Sequence, residues 1–251
     1  MEILVTGASG VLGRKVARIA EERGYSVRRL SRSERDGPGW YRGEVASGDG
    51  LTEAVAGADA IIHCASDPRH HAVTDVAGTA NLVRTALTAG GIHIVYPGIV
   101  GSDVIPYPYY RSKTAAETVL SDSGDSFTIQ RYTQFHDLVW HRLSRRTKLP
   151  VVAVPNDTRF QVLDATAAAR HLVDAAEGSP AGRLPDLGGP TVYDVRDLAR
   201  SVAAGLGRRR WIFGINYRGL VGAAFRAGAN LTENRDDTGM TWNEYVASRI
   251  G

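Results

Sequence analysis

Residues 2–13, EILVTGASGVLG, decide the fold. The short apolar run 2–6, with its β-branched content, predicts a strand, and Gly7, Gly10 and Gly13 follow it three residues apart. Leu12, Val16, Ile19 and Ala20 then fall on one face at helical spacing, and Gly24 supplies the stop. A glycine triplet alone is weak evidence. Between a strand and an amphipathic helix it has the context it needs, because only residues without a β-carbon let the backbone turn sharply, approach a diphosphate and pack helix on sheet. The amides that open the helix add an anion site. Gly7, Ser9, Gly10, Val11, Leu12 and Gly13 are therefore candidate dinucleotide-binding residues.

Outward from this unit the alternation repeats. YSVRRL (25–30) reads as a strand, LTEAVAG as a short helix, and DAIIHCA (59–65) as a buried strand. A helix through Val76, Ala80, Val83 and Leu87 ends near Gly90. It is followed by a strand at 92–96, a helix from about Tyr109 to Leu120, and a strand at 127–132. Strands separated by helices specify a parallel sheet with right-handed crossovers. The expected fold class is α/β, a doubly wound Rossmann-type sheet whose ligand lies across the carboxyl ends of the strands. Beyond residue 133 the regularity weakens: 149–154 looks like a strand, and 164–178, 194–207 and 241–250 look like helices. A single domain over 1–251 is expected, with residues from about 133 onward forming a small, discontinuous C-terminal substrate lobe.

Composition bounds the function. A chain of 251 residues, 43% hydrophobic and 23% charged, is that of an ordinary globular protein. The formal charge of +3 is mild, and the basic clusters at 141–148 and 207–211 read as solvated helix ends or loops before they read as phosphate sites. No nucleic-acid partner is expected. The single cysteine, Cys64, cannot form an internal disulfide. No apolar run approaches the roughly 18 residues of a membrane span, and a first strand at residue 2 leaves no room for a signal peptide, so no membrane and a cytoplasmic location are expected. His70 and His71 are adjacent and point differently, and no Cys/His cluster exists, so no metal is expected.

About 20 residues past the glycine turn, an acid would accept hydrogen bonds from the ribose of NAD. Here that place holds Ser31, Arg32 and Ser33. A guanidinium flanked by hydroxyls suits a 2′-phosphate, and NADP(H) is the expected cofactor.

With TGASGVLG, GEV (43–45), HCAS (63–66), YYRSKTAAE (109–117), IQRYTQFHD (129–137) and a late TW (241–242), the chain resembles the atypical short-chain dehydrogenase/reductase superfamily, specifically the NmrA-like NAD(P)H-binding proteins. The resemblance implies that Glu44 and Val45 meet the adenine and that Cys64, Ala65 and Ser66 line the ribose and nicotinamide side. For Cys64 a small buried core position is the equal alternative. Tyr109 and Lys113 match the superfamily's YxxxK pair. Four residues along a helix put both on one face. A tyrosine titrates near pH 10, and a neighbouring cation would bring it toward use as an acid or base. In the resembling enzymes the lysine also grips the nicotinamide ribose.

One departure stands out. Where family members place a serine or threonine after the fifth strand to polarise a carbonyl, this chain has Pro97 and Gly98. Losing one such donor costs about 100-fold to 1000-fold in rate. Ser102, Thr133, Gln134 and His136 are candidate substitutes on the substrate side, His136 equally as a packing residue. The aromatic residues Trp211, Phe213, Tyr217 and Phe225 either line an apolar pocket or fill core. The expected activity is an NADPH-dependent ketoreductase that passes hydride to the carbonyl of a small or polycyclic substrate, acting as monomer or homodimer. A non-catalytic NADP(H) sensor and a quinone reductase are the alternatives, and a sugar-nucleotide epimerase or dehydratase ranks last.

Overall fold

The computed structural model describes residues 1–124 and 126–250. In chain order it contains β1 (Glu2–Thr6), α1 (Val11–Glu22), β2 (Ser26–Ser31), β3 (Trp40–Arg42), α2 (Leu51–Val55) and β4 (Ala60–His63). A π-helical turn, Ala72–Ala77, runs into α3 (Gly78–Thr88), followed by β5 (His93–Ile99), α4 (Pro108–Ser121) and β6 (Phe127–Tyr132). Then come α5 (His136–Arg146), β7 (Val151–Pro155), β8 (Arg159–Phe160), α6 (Ala165–Glu177) and β9 (Gly182–Arg183). The chain ends with β10 (Tyr193–Asp194), α7 (Val195–Gly205), β11 (Trp211–Ile215), α8 (Leu220–Arg226) and α9 (Trp242–Ser248).

Seven strands form one sheet in the order β3-β2-β1-β4-β5-β6-β9. The pairings β1 with β2, β1 with β4, β2 with β3 and β4 with β5 are all parallel. Residues 3–6 of β1 and all of β4 are buried, as strands covered by helices on both faces must be. The chain winds outward from β1 to β3 and then crosses to β4, so the order reverses between β1 and β4. Loops diverge there at the carboxyl ends of the two strands, which is where this fold binds its ligand. Leu4, Ile61, Leu82, Tyr96, Leu120 and Ile129 belong to one continuous core on this sheet.

The chain divides into two compact units. The first comprises Met1–Gly98, Pro108–Arg131 and Ala168–Pro185; the second comprises Ile99–Tyr107, Tyr132–Ala167 and Asp186–Gly251. The second unit thus also takes residues ahead of 133, and 168–185 return to the first. Its own core joins Val152, Val154, Leu198, Val202 and Trp242, whose indole NH donates to Ser201 Oγ at 2.7 Å. The two arginine clusters of the sequence belong to it. Arg208 Nη1 donates to Ser144 O at 2.9 Å and Arg210 Nε to Thr147 O at 2.7 Å, so they tie down carbonyls at the end of α5.

Two features differ from expectation. The helix face expected to turn inward through Val76 and Leu87 is rotated: Asp75, Thr79, Leu82, Val83 and Ala86 are buried, while Leu87 is half exposed. Asp75, Thr79, Leu82, Val83 and Ala86 stand at i, i+4, i+7, i+8 and i+11, so one face at helical spacing runs from the π turn into α3. Pro97 and Gly98, expected in a loop, lie within β5 and are buried.

Candidate active site

The glycine turn closes on β4. Gly7 has φ +62°, and a β-carbon there would lie 2.7 Å from the backbone N and Cα of Ala65. The Gly10 amide donates to Gly7 O at 2.9 Å, and a β-carbon on Gly13 would run into the Gly7 carbonyl. The spacing of three therefore serves a tight turn with a helix packed directly on it. First-turn amides of α1 have no intrahelical acceptor, so the cradle fits a pyrophosphate.

The β4 side is braced from beneath. The Ala65 amide donates to Thr6 Oγ1 at 3.2 Å, Thr6 Oγ1 lies 2.6 Å from His63 Nδ1, and His63 Nε2 lies 3.1 Å from Thr79 Oγ1. His63 is fully buried; burial, with the charge of Lys113 second, pushes its pKa down to about 3. It is a neutral structural bridge.

A cleft of about 200 Å³ opens above this turn. Gly7, Ser9 and Gly10 line it from the turn, Ser31 and Arg32 from the end of β2, Glu44 and Val45 from beyond β3, and Cys64, Ala65 and Ser66 from the end of β4. Leu30, Gly43, Asp67 and Thr74, which sequence reasoning missed, also line it; Val11, Leu12, Gly13, Ser33 and Lys113 do not. Arg32 reaches Glu44 only loosely, Nε to Oε2 at 3.7 Å, with 70% of its side chain exposed. Burial pushes the Cys64 thiol up to about 12, so it is an un-ionised wall. A wider depression between α3 and α4, lined by Val83, Leu87 and Val119 among others, contains none of the candidate residues.

Beside the cleft, α4 carries Tyr109 and Lys113 one turn apart. The Tyr109 hydroxyl lies 2.8 Å from Ser66 Oγ, and Ser66 Oγ donates to Asp75 Oδ1 at 2.7 Å. Lys113 Nζ stands 3.7 Å from the same Asp75 oxygen and 4.0 Å from the centre of the Tyr96 ring. Asp75 is fully buried and Lys113 nearly so. The expectation that Lys113 acidifies Tyr109 is corrected. Burial, then the charge of Asp75, raises Tyr109 above its ordinary range, and only the Ser66 hydrogen bond pulls it down. Lys113 itself is lowered, chiefly by burial, against the pull of Asp75 and Glu117. At neutral pH the phenol keeps its proton, the form in which it can donate one. Sequence reasoning passes over Asp75 because a carboxylate is not expected on a buried helix face, although its spacing to Thr79, Leu82, Val83 and Ala86 is that of one face.

The space under Gly98 is taken. Arg131 Nε lies 3.0 Å from both carboxylate oxygens of Glu117 and Arg131 Nη2 donates to Oε2 at 2.6 Å, both side chains being buried. Ser102, Thr133, Gln134 and His136 are buried members of the second unit. Thr133 Oγ1 donates to the Gln161 carbonyl, Gln134 O accepts from the Leu163 amide at 3.0 Å, and the His136 ring packs against Trp242 and Tyr245 at 5.7 and 5.0 Å. For His136 this is the packing role left open beside a substrate contact. Trp211, Phe213 and Tyr217 are exposed on that unit, while Phe225 packs on Phe160 at 6.0 Å.

Among the described residues no cluster of three or more His, Cys, Asp or Glu side chains could hold a metal ion, and no helix is long and apolar enough to cross a membrane.

Comparison with known proteins agrees with this architecture. The family described as NAD(P)H-binding matches residues 7–146. A 2-alkyl-3-oxoalkanoate reductase of Stenotrophomonas maltophilia is 31% identical over 158 residues, covering 50% of this chain and 47% of that protein. The photosystem II assembly factor Ycf39 of Cyanophora paradoxa is 31% identical over 147 residues, covering 54% and 46%. The chain thus spans about half the length of these curated relatives. A nucleoside-diphosphate-sugar epimerase from Staphylococcus aureus superposes with a TM-score of 0.82 at 20% identity, covering 98% of this chain and 100% of that one. UDP-glucose 4-epimerase of Thermus thermophilus, solved with NAD, gives 0.76 at 17% identity over 100% and 98%. At such identities the likeness is one of fold.

Proposed function

The chain belongs to the NAD(P)H-binding family, of the NmrA-like, atypical short-chain dehydrogenase/reductase kind, and we propose that it is an NADPH-dependent reductase of a small organic carbonyl compound. A role in binding a nicotinamide dinucleotide and a reductase kinship follow from the relatives. One observation carries the finer reading: Ser66 lines the dinucleotide cleft and touches the Tyr109 hydroxyl at 2.8 Å, so a protonated phenol stands at the edge of the cofactor site.

In this reading the Gly7–Gly13 turn and the α1 amides hold the pyrophosphate, and Cys64, Ala65 and Ser66 flank the nicotinamide end. Arg32 takes the 2′-phosphate. Its exposed contact with Glu44 at 3.7 Å is worth little and exchanges readily for a doubly charged phosphate. The reduced nicotinamide supplies the hydride. Tyr109 delivers the proton to the carbonyl oxygen, and the Lys113 ammonium stands at the far end of the chain of groups that leads through Asp75 and Ser66 to the phenol. A relative that reduces 2-alkyl-3-oxoalkanoates supports a carbonyl flanked by a polarising group as the substrate class.

The test is to mix the protein with NADPH and a panel including ethyl acetoacetate and menadione while following absorbance at the nicotinamide band. Oxidation is expected with at least one member, and Tyr109→Phe should slow it about 100-fold or more. No oxidation with any member refutes the reductase reading.

The Glu117–Arg131 pair beneath Gly98 favours one second reading, a non-catalytic NADP(H) sensor, because it fills the place of the usual carbonyl-polarising donor. A sensor would bind the cofactor, oxidise none of it, and bind it unchanged in Tyr109→Phe.

A further inference from the structure

We propose that Ser66 is a catalytic residue, the hydrogen-bond and proton partner of Tyr109 in a relay Lys113–Asp75–Ser66–Tyr109. The inference rests on the reductase reading above. Its basis is a continuous chain of contacts: 3.7 Å from Lys113 Nζ to Asp75 Oδ1, 2.7 Å from there to Ser66 Oγ, and 2.8 Å onward to the Tyr109 hydroxyl.

Each member is placed for this by something unusual. Asp75 sits in the π turn, a helix irregularity frequent at functional sites, and its carboxylate is fully buried. A buried carboxylate and ammonium gain little stability from each other once desolvation is counted. Asp75 also binds Ser66 and, at 3.4 Å, the Asp67 amide, so the pair is turned toward the β4 loop and the cleft. Ser66 has one proton and two claimants for it. With Tyr109 protonated, Ser66 donates to Asp75 and accepts from the phenol; once Tyr109 has lost its proton, the phenolate is the stronger acceptor.

The balance is as follows. When the substrate carbon accepts hydride, the C=O π pair moves onto oxygen and that oxygen takes the Tyr109 proton. The phenolate takes the proton of Ser66, Asp75 Oδ1 passes a proton to Ser66 Oγ, and Lys113, closing from its 3.7 Å ion-pair distance to hydrogen-bond distance, returns one to Asp75 and passes from ammonium to amine. Solvent water restores Lys113 after product leaves. A serine at 98 would polarise the carbonyl directly, whereas Ser66 acts on the far side of the phenol. The substrate's own polarising group then takes the greater share of oxyanion stabilisation.

The experiment compares Ser66→Ala, Ser66→Thr and Asp75→Asn with the unaltered chain in three measurements. Calorimetric titration with NADPH tests the cofactor site alone; binding by the unaltered chain is the premise both readings share, and no heat overturns both. Turnover of ethyl acetoacetate in H2O and D2O is expected to show kcat lowered about 100-fold in Ser66→Ala with little change in KM for NADPH, recovery of most of it in Ser66→Thr, and a larger solvent isotope effect in Asp75→Asn. The NMR shift of the hydroxyl-bearing ring carbon of Tyr109, assigned by its loss in Tyr109→Phe, needs no turnover; it should move in Ser66→Ala and return in Ser66→Thr. An unmoved resonance in Ser66→Ala, or turnover equal to that of the unaltered chain, overturns the relay. An unaltered chain that binds NADPH but turns over no probe, with the Tyr109 resonance still moved in Ser66→Ala, overturns the reductase reading instead.

Discussion

Gly98 rests against the Glu117 carboxylate: a β-carbon at 98 would collide with Glu117 Oε1 and come within 2.6 Å of Arg131 Cγ. The serine missing from this position is therefore excluded by a buried ion pair on α4 and β6. Gly98→Ser should not restore a donor. It should cost about 1 to 3 kcal/mol by overpacking, read in chemical denaturation, with no gain in ketone reduction. A stable, faster Gly98→Ser would show that the ion pair yields.

The ion pair makes its own prediction. Glu117 and Arg131 are 5% and 4% exposed, with three nitrogen–oxygen contacts between them. Arg131→Ala strands a buried carboxylate and should cost about 3 to 5 kcal/mol, whereas replacing both residues by Glu117→Gln and Arg131→Met should cost clearly less than that single change. Equal losses in the single and double variants, measured by the same denaturation, would deny the coupling.

The first half of the fold was legible because its signals are local. Residues 2–13 set a strand, a turn and a helix without reference to anything distant, and the strands at β2, β4, β5 and β6 are runs whose burial shows in composition. The cleft residues of the turn and β2 followed from that order and its spacing, whereas those beyond β3 and at the end of β4 came from the family resemblance. What escaped depended on partners far along the chain. β11 is a strand because Trp211–Ile215 pairs in register with Val151–Pro155, some sixty positions away, and nothing in GRRRW announces that. Asp75 shares the buried face of Thr79, Leu82 and Val83 but is a carboxylate, which a sequence pattern does not place inside, and Tyr109 is raised chiefly by burial and then by that charge. Spacing of three or four residues identifies which groups share a helix face; it does not say which charge each will meet.

In the proposed NADPH reading, Arg32 is the group that decides between the cofactors. It lines the cleft and makes an exposed 3.7 Å contact to Glu44. Arg32→Ala should weaken NADPH about tenfold or more and leave NADH nearly unchanged, with the NADPH preference fading as salt rises. Calorimetry with both nucleotides at two ionic strengths measures it. Equal weakening of both would place Arg32 on a part of the dinucleotide that the two share.

His63 makes the fold sensitive to acid. Its pKa falls from 6.5 to about 3 because burial, and secondarily the Lys113 charge, disfavour the imidazolium between Thr6 and Thr79. A group whose folded pKa is depressed leaves stability intact above its unfolded value. As pH drops below 6.5 the unfolded chain takes up a proton that the folded chain refuses, so stability declines by about 1.4 kcal/mol per pH unit until the folded pKa is reached. Carboxylates titrate in the lower part of that window, so the contribution is isolated by difference. His63→Gln keeps a side chain able to bond both threonines but has no charge to gain. Between pH 6.5 and 5 the unaltered chain should lose about 2 kcal/mol more than His63→Gln in urea denaturation. Parallel losses would mean that the His63 ring reaches solvent and accepts its proton without unfolding.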